Sequence, residues 1–454
     1  MKNDYFLAGN NSFCAITKGG DIQFAASVRP MGQFINALEN ARVIVADPGL
    51  LDSILRDIGP NERPKTVSIR ECGGANLRVH RFVSATGTQY LDGAGLFPSP
   101  LVECLDLPDD AEARAIAWTG EYAAQIERVR AYIAGAGSRG VPDVRETIAG
   151  TALGAALPPA WRKGATFFAN HKLGVYRNIR RADFGGRIQT FTSHGQVHEN
   201  ATYYDLKSAY GWAMLQPLPD WQCYDTRPRY SREPGWLDCE VEILPCPVGP
   251  LPVRQQDDSL AYPTSGIWRG TYTAEDLERS QHVKIRRVFF AYHGRYRTDL
   301  AMPVSTWLDR REQARDEITR ATGRALAVSL AGRLSLRQTQ WHLWHASEGF
   351  LPGVRPLRWG SPWGVYQAVA PYPPLAVPTT ASYIKALVRS RVWPYIEHGQ
   401  ALHTHTDSVH LPAGVDGPDV GNAPGDWALK SEGQAEYWPD RYRIGETQTK
   451  TWGK

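Results

Sequence analysis

Residues 201–214 read ATYYDLKSAYGWAM. A β-prone run, Ala201 to Tyr204, ends at Asp205 and passes straight into a helix-like stretch, so a carboxylate stands where a strand stops. Such a group, with its neighbours' carbonyls exposed by the turn, suits a hard divalent cation. Taken alone, it suits a helix N-cap better. A second carboxylate lies downstream, in residues 401–412, ALHTHTDSVHLP. There Leu402, Thr404 and Thr406 alternate with His403, His405 and Asp407 before the chain reverses into Val409-His410-Leu411, a pattern of strand, tight turn and strand with Asp407 near the tip. Two carboxylates on neighbouring strands can hold two Mg²⁺ ions about 3.5 to 4 Å apart and stabilise the attacking and leaving oxygens of a phosphoryl transfer.

Between the two carboxylates lies the clearest helical region, 307–334, in which Arg311, Arg315, Arg320 and Arg324 recur at roughly helical spacing. Cations on one helix face near metal-binding carboxylates would hold nucleotide phosphates. By themselves they fit a solvated helix laced with Asp309, Glu312, Asp316 and Glu317. The whole chain has 454 residues and a formal charge of only +4, so any nucleic-acid surface must be a local basic face. Its 51 basic residues divide into 40 Arg and 11 Lys, a bias that suits bidentate phosphate contacts and equally reflects a GC-rich genome. Glycine and proline are abundant but neither periodic nor gathered into one tract, which excludes collagen-like and mainly disordered chains. The six cysteines form no CxxC pair, which argues against a zinc ribbon and a disulfide scaffold and for a reducing, cytoplasmic setting. No apolar run reaches membrane-spanning length, and no export signal opens the chain.

Outward from these segments, residues 4–105 alternate short β-like runs with one helix, strand, helix stretch: Met31 to Glu39, Ala41 to Ala46 and Leu50 to Ile58. Residues 108–134 read as a helix, and GAGSRGVPD (135–143) as a domain boundary. Helices are expected over 144–178, strands over 186–204, an inserted proline-rich β subdomain or extended loops over 215–275, loops over 335–380, and a helix from Ala381 to Ile396.

Taken in order, these segments resemble the motifs of family B DNA polymerases, most closely the protein-primed branch used by phages and linear plasmids. Asp205-Leu-Lys-Ser208-Ala-Tyr210-Gly211 resembles D-x-x-S-L-Y-P, keeping Asp, Ser and Tyr. Arg324-Ala-Leu-Ala-Val328-Ser329-Leu-Ala331-Gly332 resembles K-x-x-x-N-S-x-Y-G, with Val328 for Asn and Ala331 for Tyr. His403-Thr-His405-Thr-Asp407-Ser408 resembles Y-x-D-T-D-S, with His405 at the first Asp. Asp183-Phe-Gly185-Gly186-Arg187 resembles the Y-x-G-G element, Thr147 to Ala152 the opening of the polymerase domain, and residues 271–292 the strand and helix before the fingers. Ala428-Leu-Lys430-Ser-Glu432 and Tyr442 resemble segments that close the palm.

The resemblance covers roughly residues 145 to 450 and implies an α+β right-hand polymerase: a palm with antiparallel sheet, short helical fingers and a minimal thumb, preceded by an RNase H-like α/β domain of exonuclease type. The implied division is 1–140 for the exonuclease-like domain and 141–454 for the polymerase. Within the latter, the palm takes 180–215 and 381–445, an inserted region 215–275, the fingers 300–335 and a loop-rich insertion 335–380. It implies template-directed addition of dNTPs to a 3′-hydroxyl, or to a protein hydroxyl, with Mg²⁺ or Mn²⁺. The implied metal ligands are Asp205, Asp407 and the Leu206 backbone carbonyl, with His405 in an undefined role. Ser208, Tyr210, Arg311, Arg324, Ser329 and Gly332 would meet the nucleotide, and Gly185, Gly186, Arg187, Ser408, Lys430 and Tyr442 the DNA. Partners would be template, primer, dNTPs and a terminal protein, in a bacterial host cytoplasm.

In the N-terminal region only a shell of the nuclease is visible. Residues 34–55 line up with its second motif, Tyr122 with the Tyr of Y-x-x-x-D, and Ile126 takes the place of that Asp. No D-x-E lies near Phe6 to Phe13, which removes the ligands a two-metal nuclease needs. Two other readings stand beside the polymerase. One is a catalytically impaired polymerase fold that binds nucleic acid as a scaffold. The other is a metal-dependent hydrolase or nuclease, since His403-x-His405-x-Asp407 also resembles H-x-H-x-D-H, with Ser408 for the last His.

Overall fold

In the computed structural model the described residues are seven strands within the first 92 residues, then 129–134, 148–157 and 173–451, less 224–234, 256–258, 336–339, 347–348, 351–353, 357–362, 369–376, 439–440 and 446–447. The expected helices at Met31 to Glu39 and Leu50 to Ile58, and most of 108–134, lie outside them.

Seven N-terminal strands, β1 (Asp4–Gly9), β2 (Cys14–Lys18), β3 (Asp21–Ala26), β4 (Arg42–Val45), β5 (Thr66–Glu71), β6 (Leu77–Val83) and β7 (Gln89–Asp92), form one sheet in the order β3-β2-β1-β4-β7-β6-β5. β1 pairs antiparallel with β2 and parallel with β4, and β4 pairs parallel with β7. The sheet is therefore mixed, with β4, the run Arg42-Val-Ile-Val45, between two parallel neighbours.

Helix 129–133 precedes α1 (Ile148–Ala156) and α2 (Leu173–Arg181). The chain then enters the sheet that carries the site through β8 (Ile188–Thr190) and β9 (Val197–Leu206), and leaves it by α3 (Ala209–Leu215). The inserted region is built of strands, as its proline-rich, turn-rich sequence suggested: β10 (Leu218–Cys223), β11 (Gly235–Ile243), the two-residue pair β12 (Val253–Arg254) and β13 (Leu260–Ala261), and β14 (Gly266–Thr273). The short helix α4 (Ala274–Glu278) follows, with Thr273 as its cap: the Thr273 hydroxyl accepts from the Asp276 N–H at 3.1 Å. With β15 (Val283–Arg297) these strands make an antiparallel sheet in the order β10-β15-β11-β14.

The Arg-rich segment is two helices, α5 (Ala301–Glu312) and α6 (Glu317–Leu334), with Asp316 capping α6 through the Thr319 N–H at 2.8 Å. α6 buries Leu326, Ala327, Leu330, Ala331 and Leu334 and exposes Arg320, Arg324 and Val328. The stretch read as loops contains a three-stranded antiparallel sheet, β16 (Gln340–His345), β17 (Arg355–Pro356) and β18 (Trp363–Ala368), in the order β16-β18-β17. Pro356 sits on an edge strand, where a missing N–H is tolerated.

α7 (Pro378–Val392) begins with proline at its first turn and returns the chain to the palm. β19 (His403–His405), β20 (Ser408–Leu411), β21 (Trp427–Tyr437), β22 (Arg441–Ile444) and β23 (Gln448–Thr451) complete a sheet ordered β23-β22-β21-β9-β20-β19-β8. The described residues after Asp407 form four strands of this sheet and no helix. The period-two alternation of β9 and β20 sets its two faces. Leu206, Val409, Leu411 and Trp427 join the large core with residues of α1, α2, α3, α5, α6 and α7. Ala201, Tyr203, Leu402, Ala435, Tyr437, Tyr442 and Ile444 form a separate core on the other face, under the C-terminal strands. Among the described residues no helix is long and apolar enough to cross a membrane.

Candidate active site

β9 and β20 run antiparallel with Asp205 opposite Ser408, which puts Asp407 one residue from the register partner of Asp205. The Leu206 N–H donates to the Asp407 carbonyl at 2.9 Å, and the Asp407 N–H to the His405 carbonyl at 2.8 Å. β19 and β20 close through His405 and Ser408, so Thr406 and Asp407 are the two residues of a tight turn. Thr406 has φ +64°, and Ser208, just after β9, has φ +49°. Left-handed backbone at two non-glycine residues, each close in sequence to one of the two carboxylates, is the kind of strain that surrounding contacts must hold in place.

Those contacts are specific. The Ser208 hydroxyl accepts from Arg311 Nη1 at 2.7 Å, which ties the end of α5 to the strand end carrying Asp205. Lys430 Nζ stands 3.9 Å from Asp205 Oδ2, both partly exposed. Burial, aided by the Asp407 charge and opposed by Arg389, pushes the Tyr210 phenol up to about 12, so it stays protonated at working pH. The Thr406 N–H donates to the Arg187 carbonyl at 2.7 Å. Gly186 lies against Thr406 so closely that a Cβ there would stand 2.8 Å from the Thr406 Cα. The Gly185-Gly186-Arg187 stretch is therefore the backing of the turn that bears Asp407.

α7 holds this backing from the far side. Lys385 Nζ meets Asp183 Oδ1 at 2.8 Å, and Arg389 Nη1 donates to the carbonyls of Phe184 and Gly185 at 2.9 and 3.2 Å. The other arm of Arg389 pairs with the fully buried Asp276, which Arg279 also meets at 2.8 Å. These residues escaped the sequence reading. Lys385 and Arg389, one helical turn apart on one side of the helix, were the available signal.

Three of the residues expected to meet DNA lie buried in the fold. Arg187 is 4% exposed: Nε and Nη2 donate to Gln189, Nη1 donates to the Gly249 carbonyl at 2.8 Å, and the guanidinium lies 4.1 Å from the centre of the Tyr262 ring. Ser408 is buried and donates to the His405 carbonyl at 3.0 Å. Tyr442 is 1% exposed, packed edge-on against His410 with ring centres 4.5 Å apart. Lys430 is the exposed member of that group at the carboxylates. Arg324 and Gly332 occupy the exposed side of α6 and Ser329 is half-buried, while Arg311 is the residue through which the two helices reach the carboxylate strand.

The histidine motif does not form a metal centre. His403 is fully buried, its Nδ1 3.0 Å from the Thr190 hydroxyl, stacked on Tyr437 and edge-on to His410. Among the described residues no three His, Cys, Asp or Glu side chains come together as a metal site. What the site offers is two adjacent carboxylates with a lysine and an arginine beside them. Magnesium is commonly held by one or two carboxylates, with waters and substrate phosphates filling the remaining positions, and this oxygen-donor pair fits that requirement.

Residues 145–282 match the family model of DNA polymerase type B, organellar and viral. No curated sequence matches the chain. Among solved structures, Phi29 DNA polymerase in its ternary complex with primer-template DNA and incoming nucleotide is similar over 97% of this chain and 87% of that one, with TM-score 0.70 and 14% identity. Phi29 DNA polymerase in its orthorhombic crystal form matches over 100% and 90%, with TM-score 0.69 and 14% identity. With the motif order and the palm sheet in agreement, residues 145–282 carry the pattern of the organellar and viral type B DNA polymerase model, and the chain as a whole has the fold of Phi29 DNA polymerase.

Proposed function

We propose that the protein extends a 3′-hydroxyl, or a protein hydroxyl at initiation, with dNTPs by a two-metal mechanism, and that it lacks proofreading. The observation that carries the mechanism is the register of β9 and β20, which sets Asp205 and Asp407 side by side at an open strand end. Those two carboxylates would hold Mg²⁺, or Mn²⁺. Such ions, when bound, lower the charge barrier to attack on the α-phosphate and to departure of pyrophosphate.

The protein's own residues supply the rest. Arg311 and Arg324 neutralise triphosphate charge, Arg311 from a position fixed by Ser208. Tyr210, a neutral phenol packed near Asp407, supports the sugar of the incoming nucleotide. Lys430 offsets negative charge beside Asp205 when substrate is absent and meets the primer strand when it is present. Ile126 and the missing D-x-E support an N-terminal domain without nuclease ligands, kept as a guide for single-stranded template.

Primer extension by the purified full chain, on primed and unprimed templates with Mg²⁺ and Mn²⁺ compared, tests the reading. Wild type is expected to extend primers, and Asp205→Asn and Asp407→Asn to lose at least about a thousandfold in rate. Normal extension by either variant removes the two-metal assignment. DNA binding without any extension by the wild type places the protein among the catalytically impaired relatives. Extension from unprimed template only with a protein hydroxyl donor supports protein priming.

A further inference from the structure

Thr406, the first residue of the Asp407 turn, is also part of the wall of a cavity lined by Arg187, Arg279, Arg389, Tyr262 and Trp393. The cavity measures about 260 Å³ counting its open mouth, and its enclosed part has room for one water-sized group. Three guanidiniums thus converge on a small space. One buried carboxylate, Asp276, answers two of them, at 2.8 to 3.0 Å from Arg389 and 2.8 Å from Arg279. The remaining acids nearby are engaged or disfavoured as anions. Asp183 is held by Lys385, Glu397 accepts from Ser280 at 3.3 Å, and burial pushes the Glu275 carboxyl up. Arg187 has only neutral acceptors, Gln189 and the Gly249 carbonyl.

The same walls carry donors with nothing to donate to. Arg279 Nε, the Tyr262 hydroxyl and Trp393 Nε1 are all buried without an acceptor among the described residues. The Arg279 side chain is 5% exposed and Trp393 3% exposed. Each such donor is a standing cost unless something accepts from it. A water molecule would relieve that deficit but not the excess of positive charge; a single small anion relieves both.

We propose that this cavity binds one inorganic anion of halide size, which holds the Thr406 turn, and with it Asp407, against the backbone of Arg187. The site selects by size and charge: three guanidiniums, the Tyr262 hydroxyl and the Trp393 N–H line it beside the apolar Val392 and Ile396, and its enclosed part has room for a monatomic ion and none for an organic acid. It stands independently of the polymerase mechanism, because binding is read without turnover.

The test is thermal unfolding of the full-length protein at constant sodium concentration while sodium glutamate is replaced by sodium chloride or bromide. Saturable stabilisation by both halides is expected, since an anion bound to the folded state alone raises its melting temperature by mass action. Tyr262→Phe deletes one donor and keeps the ring under Arg187, so it should leave the fold intact and raise the half-saturating halide concentration about tenfold. A linear halide effect, identical in wild type and Tyr262→Phe, overturns the proposal. Crystals grown in bromide provide the direct view: anomalous density within hydrogen-bond reach of Arg279 Nε and Trp393 Nε1 supports the site, and a water in that place refutes it.

Discussion

Gly186→Ala should cripple extension while Gly185→Ala should not. A Cβ on Gly186 would lie 2.4 Å from Thr406 Cγ2, 2.7 Å from its Cβ and 2.8 Å from its Cα. Carbon atoms in contact stand about 3.5 to 4.0 Å apart, so the overlap is about 1 Å. Rotating the Thr406 side chain relieves only the first of the three contacts. The other two require the turn itself to retreat, which lengthens the 2.7 Å bond from the Thr406 N–H to the Arg187 carbonyl and carries Asp407 with it. Displacing a reacting geometry by about 1 Å costs on the order of a hundredfold in rate, and the overpacking costs about 1 to 3 kcal/mol of stability. Gly185 has open space where its Cβ would be, and neither glycine has positive φ, so steric fit alone separates the two variants. Steady-state primer extension at saturating dNTP, with melting temperatures measured in parallel, reads both effects. Should Gly186→Ala keep kcat within about threefold of wild type, the idea that this glycine sets the position of Asp407 is wrong.

Other outcomes follow from the same geometry. His405→Asp, which adds a carboxylate where the family motif carries one, is expected to raise Mg²⁺-supported extension and lower the Mg²⁺ concentration needed, measured by titration of the metal at fixed substrate. Arg311→Met removes a charged hydrogen bond to Ser208 and should lower kcat/KM for dNTP by about ten- to a hundredfold in single-nucleotide incorporation. Arg389→Met strips the buried Asp276 of its main partner and frees the Phe184 and Gly185 carbonyls, so denaturant unfolding should show a loss of about 3 to 5 kcal/mol. Burial by itself raises the Asp276 carboxyl, but Arg389 and Arg279 outweigh it and hold the group below its ordinary value. A depressed carboxylate contributes stability that is complete above its unfolded value, near 4, and is lost as the pH falls through its folded value; melting temperature should therefore drop on acidification below about pH 4, and less steeply in Arg389→Met.

What could be read before folding, and what could not, divides along one physical line. The carboxylate pair was legible because period-two alternation in residues 402–411 and the abrupt stop of β9 at its carboxylate are local patterns, and once two such strands are neighbours their register leaves little freedom for Asp205 and Asp407. α6 was legible for the same reason, since its apolar positions recur at helical spacing. The three-stranded sheet after it was not, because β16 and β18 pair across a long intervening segment rich in Gly and Pro and β17 contributes only two residues. The exposure of single polar residues was least legible of all. Arg187 follows two glycines, the setting of a phosphate ligand, yet Gly249 and Tyr262 from the inserted β region enclose it. Tyr442 looks like a groove-lining aromatic until β21 and β22 curl over it and bring it against His410 and Tyr203.

Burial also changes the meaning of the residues it removes from the surface. A buried guanidinium can still decide where a carboxylate stands, because the carbonyl of Arg187 itself accepts from the Thr406 N–H. Arg389 acts in the same way from α7, through the Phe184 and Gly185 carbonyls. The segment whose glycines and arginine suggested a surface for template is, in this fold, a bracket for the turn that bears Asp407. It is gripped by Lys385 and Arg389 on one side and pressed against Thr406 on the other. Catalytic placement of Asp407 therefore rests on buried cations that the chain's small net charge conceals, since their counter-charges are counted in the same total.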